Sequence, residues 1–145
     1  SSFVKDKINE SRCVIDLGAG AGAATGYLAS SAPTTSFVAS DINDDLLDLG
    51  KNFALSRGID NLSFKKNDWL NLSDTRLYDG VISLQVISWL PELRLPIEKV
   101  LTKIEPEWFA MTSLFFEGDK NLVFSHVRTV YLVQLIDYSN LHQYL

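Results

Sequence analysis

The sequence predicts an α/β domain built on a doubly wound, mostly parallel sheet. Three observations predict it. Short apolar runs alternate along the chain with longer stretches of helical periodicity. The run from Tyr78 to Leu84 is mostly apolar, as a strand covered on both faces is. A glycine cluster, Gly18, Gly20 and Gly22, follows the first run and opens the first helix. The chain has 145 residues, the size of one domain, and a chain this long buries roughly 70% of its unfolded surface. We read residues 1–145 as that single domain.

The elements follow in order. Cys13 to Leu17 is a first strand, interrupted only by Asp16. Ala21 to Ala32 is a small-residue helix that stops at Pro33. Ser36 to Ser40 is a second strand. Asn43 caps a helix with Asp44 and Asp45 in its first turn, where acids complement the helix dipole. Leu46, Leu49 and Phe53 continue that helix at helical spacing, and Gly58 stops it. Leu62 to Lys66 alternates as a third strand, and Tyr78 to Leu84 is an apolar fourth. Ile97, Val100, Leu101 and Ile104 mark a helix that Pro106 ends. Trp108 to Leu114 is a fifth strand. Val130 to Val133 is strongly apolar, but its periodicity fits helix and strand alike.

Composition excludes several classes. Hydrophobic residues are 46% and charged residues 21%, which rules out a disordered chain. The net charge of −5 repels phosphate backbones and argues against nucleic acid as a partner. No apolar run approaches the ~18 residues that span a bilayer. The lone Cys13 excludes an intrachain disulfide and a cysteine zinc cluster. It fits a reducing compartment, and we assign the cytoplasm. No His, Asp and Glu spacing resembles a metal site. Ser1-Ser2-Phe3-Val4-Lys5 has neither an initiator Met nor a signal-peptide shape, so the chain reads as trimmed at its front.

The chemistry concentrates in Val14-Ile15-Asp16-Leu17-Gly18-Ala19-Gly20-Ala21-Gly22. Glycines there allow positive φ and let backbone approach a ligand. Ala19, Ala21, Ala23 and Ala24 keep the surroundings small. Two ligand classes fit. Gly18, Gly20 and Ala23 satisfy the relaxed dinucleotide pattern, and Asp41 follows at about the 20-residue spacing of a ribose-binding acid. NAD and S-adenosylmethionine both carry a ribose diol, so Asp41 leaves both open.

These residues resemble the first motif of class I S-adenosylmethionine-dependent methyltransferases, an acid followed by alternate glycines. The resemblance runs in order through four motifs from Val14 to Phe116. It implies a Rossmann-like fold and S-adenosyl-L-methionine as cofactor. Asp16, Gly18, Ala19, Gly20 and Gly22 would lie along the amino-acid and ribose part, with Asp16 organising the methionine ammonium. An NAD enzyme has no cation to bind there, so Asp16 favours the methyl donor. Asp41 would take the ribose hydroxyls and Ile42 pack on adenine. In Asn67-Asp68-Trp69, Asp68 would accept from the adenine amino group and Trp69 cover the ring. Leu84 to Ser88, with Gln85 among them, would face the cofactor. Asp79 opens its strand at the far end and reads as structural.

The resemblance also implies a small-molecule methyl acceptor. Base-methylating enzymes often carry an Asn/Asp-Pro-Pro-aromatic motif after the fourth strand, where this chain has Leu84-Gln85-Val86-Ile87. No catalytic residue is assigned. Gln85, Ser88, Ser113 and Glu117 are polar candidates, Phe115 and Phe116 are candidates for lining an acceptor pocket, and His126 and His142 read as surface or packing residues. The competing readings are an NAD(P)-binding oxidoreductase and a non-catalytic cofactor-binding module.

The family carries seven strands, the last two an antiparallel hairpin. Five strands are clear by Leu114, and the remainder has room for a helix and one more. The expectation is a domain truncated at both ends. Its fifth strand would be an exposed edge, open to a second copy of the chain, unless the Val130–Val133 region covers it.

Overall fold

The computed structural model describes residues 2–72, 77–84, 94–113 and 130–134 of the chain. Its elements are α1 (Ser2–Glu10), β1 (Cys13–Leu17), α2 (Ala23–Ser31), β2 (Ser36–Asp41), α3 (Asp44–Ser56) and β3 (Leu62–Lys66). A 3₁₀ turn (Trp69–Asn71) follows, then β4 (Gly80–Leu84) and α4 (Arg94–Lys99). The chain continues through a π-helical turn (Val100–Ile104) into β5 (Trp108–Ser113), with β6 (Val130–Gln134) beyond.

The strands form one sheet in the order β3-β2-β1-β4-β5-β6, and every pairing is parallel. β1 sits between β2 and β4 and is buried from Val14 to Leu17, which explains its unbroken apolar character. Its residues alternate between two cores. Val14 packs with Ile8 of α1, Ala29 of α2, Phe37, Ile82 and Trp108. Ile15 and Leu17 pack on the other face with Trp69, Val81, Ile97, Val100 and Phe109. Helices thus cover both faces, as the doubly wound reading requires.

β6 resolves the undecided segment. Val130, Tyr131, Leu132 and Val133 form a strand that pairs with β5 in parallel, Phe109 opposite Val130 and Ser113 opposite Gln134. β5 is therefore not an exposed edge, because β6 of the same chain covers it. Other boundaries shift slightly. Gly22, at φ 70°, is the N-cap of α2, so that helix starts at Ala23 rather than Ala21. Leu114 lies outside the described residues.

The buried face of α3 differs from the one its apolar spacing suggests. Leu47, Gly50 and Ala54 face inward, whereas Leu49 is 60% exposed and Leu46 and Phe53 are exposed as well. Gly50 is the reason. A Cβ there would lie 2.4 Å from the Ala21 carbonyl oxygen and 2.4 Å from the Phe64 ring. The small side of the helix is what lets α3 close on the glycine loop.

Two contacts fix the opposite end of the sheet. Asp79 accepts the Arg12 N–H at 2.6 Å and the Cys13 N–H at 3.1 Å, joining β1 to the start of β4. Burial raises its pKa, but these N–H groups and the Arg12 guanidinium outweigh that and hold it below the ordinary carboxylate value. Asp79 is structural. At Gly80 a Cβ would lie 2.1 Å from the Trp108 ring, so the missing side chain is the space the indole fills. The indole N–H then donates to Ser11 Oγ at 2.8 Å.

Candidate functional site

The glycine loop, Asp41, Ile42, Asn67 and Leu84 lie together at the carboxyl ends of β1 to β4. Register puts them there: Leu17 is level with Ser40, and Asp41 with Lys66. Ligands of open parallel sheets bind at this edge.

The loop needs its glycines. Gly18, Gly20 and Gly22 have φ of 74°, 58° and 70°, a region costly for residues with a Cβ. The N–H groups of Gly18 and Ala19 both donate to the Ser40 carbonyl at 2.9 Å. Gly20 donates its N–H to Asp41 Oδ2 at 2.8 Å, while Asp41 Oδ1 accepts from Asn43 at 2.9 Å. Asp41 therefore latches the loop to β2. Its carboxylate oxygens keep further lone pairs for other donors.

Asp16 lies beneath the loop and is 2% exposed. Its Oδ2 accepts from Thr25 Oγ1 at 2.6 Å, and its buried Oδ1 has no hydrogen-bond partner among the described residues. Burial pushes its pKa from 3.8 up to about 7, against the Thr25 hydrogen bond and with the help of the nearby Asp41 charge. Such a group favours a cation, which would relieve the cost of a buried negative charge.

The other predicted site residues divide. Ile42 is 63% exposed, an open apolar surface beside Asp41. Asn67 donates its N–H to the Asp41 carbonyl at 3.0 Å. Asp68 is exposed and caps the 3₁₀ turn, its Oδ1 accepting from Leu70 at 3.0 Å. Trp69 is 6% exposed, so its ring is packed inside the protein. It is buried in the core under α4, and its indole N–H donates to the Pro96 carbonyl at 2.8 Å. Leu84 lines an apolar groove of about 360 Å³ with Val4, Ile8, Tyr27, Ala110 and Thr112. Gln85 lies outside the described residues, as do Ser88, Phe115, Phe116, Glu117, His126 and His142. Among the described residues no three His, Cys, Asp or Glu side chains are grouped to hold a metal, and no helix is long and apolar enough to cross a membrane.

Sequence reasoning missed Thr25. The chain shows only a threonine in a small-residue helix. Its partner is on the preceding strand, so no helical or strand spacing links the two.

The loop thus brings together two carboxylates, one buried with an unpartnered oxygen and one half-buried against Gly20. Comparison with known proteins agrees with the fold that holds it. The family model described as a methyltransferase domain matches residues 8–124. Malonyl-[acyl-carrier protein] O-methyltransferase of Priestia megaterium is 26% identical over 110 residues, covering 76% of this chain and 39% of that protein. Release factor glutamine methyltransferase of Aliivibrio fischeri is 34% identical over 73 residues, covering 48% of this chain and 25% of that protein. The chain thus spans well under half the length of either relative. A crystal structure of a SAM dependent methyltransferase from Aquifex aeolicus superposes with a TM-score of 0.62 at 18% identity, covering 73% of this chain and 57% of that one. With the family model matched over most of its length, the chain belongs to the methyltransferase-domain family.

Proposed function

We propose that this chain is the cofactor-binding domain of an S-adenosyl-L-methionine-dependent methyltransferase that acts on a small molecule. One observation carries the reading: two carboxylates flank a glycine loop, one buried with an oxygen unpartnered, the other half-buried against Gly20. Asp16 holds the methionine ammonium, Asp41 the ribose hydroxyls, and Gly18 to Gly22 let the ligand lie on backbone. Ile42 packs on adenine. Asp68 keeps one carboxylate oxygen for the adenine amino group.

The bound cofactor supplies a methyl group on a sulfonium that is already electrophilic. The protein then has to align an acceptor and exclude water. A base is needed only for an acceptor that is protonated at working pH. The acceptor is read as small because the chain is acidic and lacks the base-methylating motif after β4. The relatives named above methylate a malonyl group on a carrier protein and a release-factor glutamine, so the domain type serves varied acceptors.

Calorimetry with S-adenosylhomocysteine tests the cofactor reading. Binding is expected, with NADH giving none under the same conditions. NADH binding without S-adenosylhomocysteine binding would overturn the reading in favour of a nucleotide-dependent oxidoreductase.

A further inference from the structure

We propose that Thr25 is a positioning residue for the cofactor's ammonium, acting through Asp16: it occupies one carboxyl oxygen and leaves the other, buried and unpartnered, for the cation. The inference rests on the cofactor reading above. Three observations carry it. Thr25 is fully buried, so its hydroxyl must find a partner inside the protein. A helical threonine commonly donates to a carbonyl one turn back. Here the hydroxyl donates instead to Asp16 Oδ2 at 2.6 Å, across from α2 to β1. Asp16 Oδ1, equally buried, is left without a partner among the described residues.

The same pair links cofactor binding to a proton. Around Asp16, Asp41 on β2 is the acid whose charge reaches it. α2 carries Tyr27, which is 74% exposed, and β4 has no ionisable residue. On α1, Lys7 pairs with Glu10, and Lys5 and Asp6 are exposed; Cys13 is at the far end of β1. No cation of these elements pairs with Asp16, so below about pH 7 the ligand-free carboxyl favours its protonated form. An arriving ammonium displaces that proton. Thr25 favours the ionised form, because its hydrogen bond lowers the pKa of Asp16. Without Thr25 the proton is harder to displace.

The test compares Thr25→Val and Thr25→Ser with the parent chain. Two probes are titrated across neutral pH: S-adenosylhomocysteine, which has the ammonium, and methylthioadenosine, which lacks it. For the parent, S-adenosylhomocysteine affinity rises with pH and methylthioadenosine affinity does not. Thr25→Val is expected to weaken the first probe roughly tenfold and move its pH midpoint upward, leaving the second unchanged. Thr25→Ser restores the parent behaviour. Equal loss of both probes would show a purely structural residue and overturn the proposal. So would a Thr25→Val chain that binds S-adenosylhomocysteine as the parent does. A parent chain that binds neither probe overturns the cofactor reading and this proposal with it. Carboxyl ¹³C resonances of Asp16, followed with pH in the ligand-free chain, give a separate readout: the midpoint rises in Thr25→Val, and an unmoved midpoint refutes the linkage.

Discussion

Asp16 is protonated more readily in the fold than in the unfolded chain, and this sets a direction for stability. Its pKa is raised from 3.8 to about 7. The folded state therefore binds a proton that the unfolded state has released, throughout that window. Stability from this group is complete below the lower value, declines as pH rises towards the upper, and is level above it. Urea unfolding at about pH 5 and about pH 8 should show a loss on the order of 3 kcal/mol from this residue. Asp16→Asn should remove that slope, and an unchanged slope would mean the carboxyl is ionised throughout. Asp41 gives a second expectation. Asp41→Ala strips the acceptor from the Gly20 N–H and should weaken S-adenosylhomocysteine binding by about 1–3 kcal/mol in calorimetry. Legibility in the sequence divides at this scale. The glycines were readable because their φ values admit little else. Trp69 was ambiguous, since an aromatic beside a loop acid can serve a ligand or a core. Its place was decided by the carbonyl of Pro96, twenty-seven positions away.

Among the elements, α3 shows what periodicity conveys and what it omits. Its cap was legible: Asn43 Oδ1 accepts the Leu46 N–H at 3.2 Å, with Asp44 and Asp45 in the first turn. Its inward face was not, because a glycine contributes nothing to an apolar stripe yet permits the closest approach. Gly50→Ala should force α3 off the glycine loop. The expected cost is about 1–3 kcal/mol in thermal or urea unfolding, with weaker cofactor binding alongside. Gly58→Ala is the natural control. It sits at positive φ, 64°, unlike the helical Gly50, and nothing lies near its Cβ position. It should lose only about 1 kcal/mol and leave binding intact. If the two variants bound cofactor equally, the contact between α3 and the loop would have no part in shaping the site.

For the whole molecule, the doubly wound sheet was legible because apolar strands and helices alternate so regularly. The strand at 130–134 was not, since a short apolar run far from any turn signal suits either state. Only its pairing with β5 makes it a strand. The strand order also shapes how the chain must be made. β1 meets β2 through a short helical crossover, but its other flank waits for β4, whose register partner for Val14 is Gly80. During synthesis the first half of the sheet can assemble while one side of β1 is bare. Long-range parallel pairing of this kind is slow and leaves sticky intermediates. Ribosome-bound chains ending before Gly80 should therefore engage chaperones, and those carrying β4 clear of the exit tunnel should let them go.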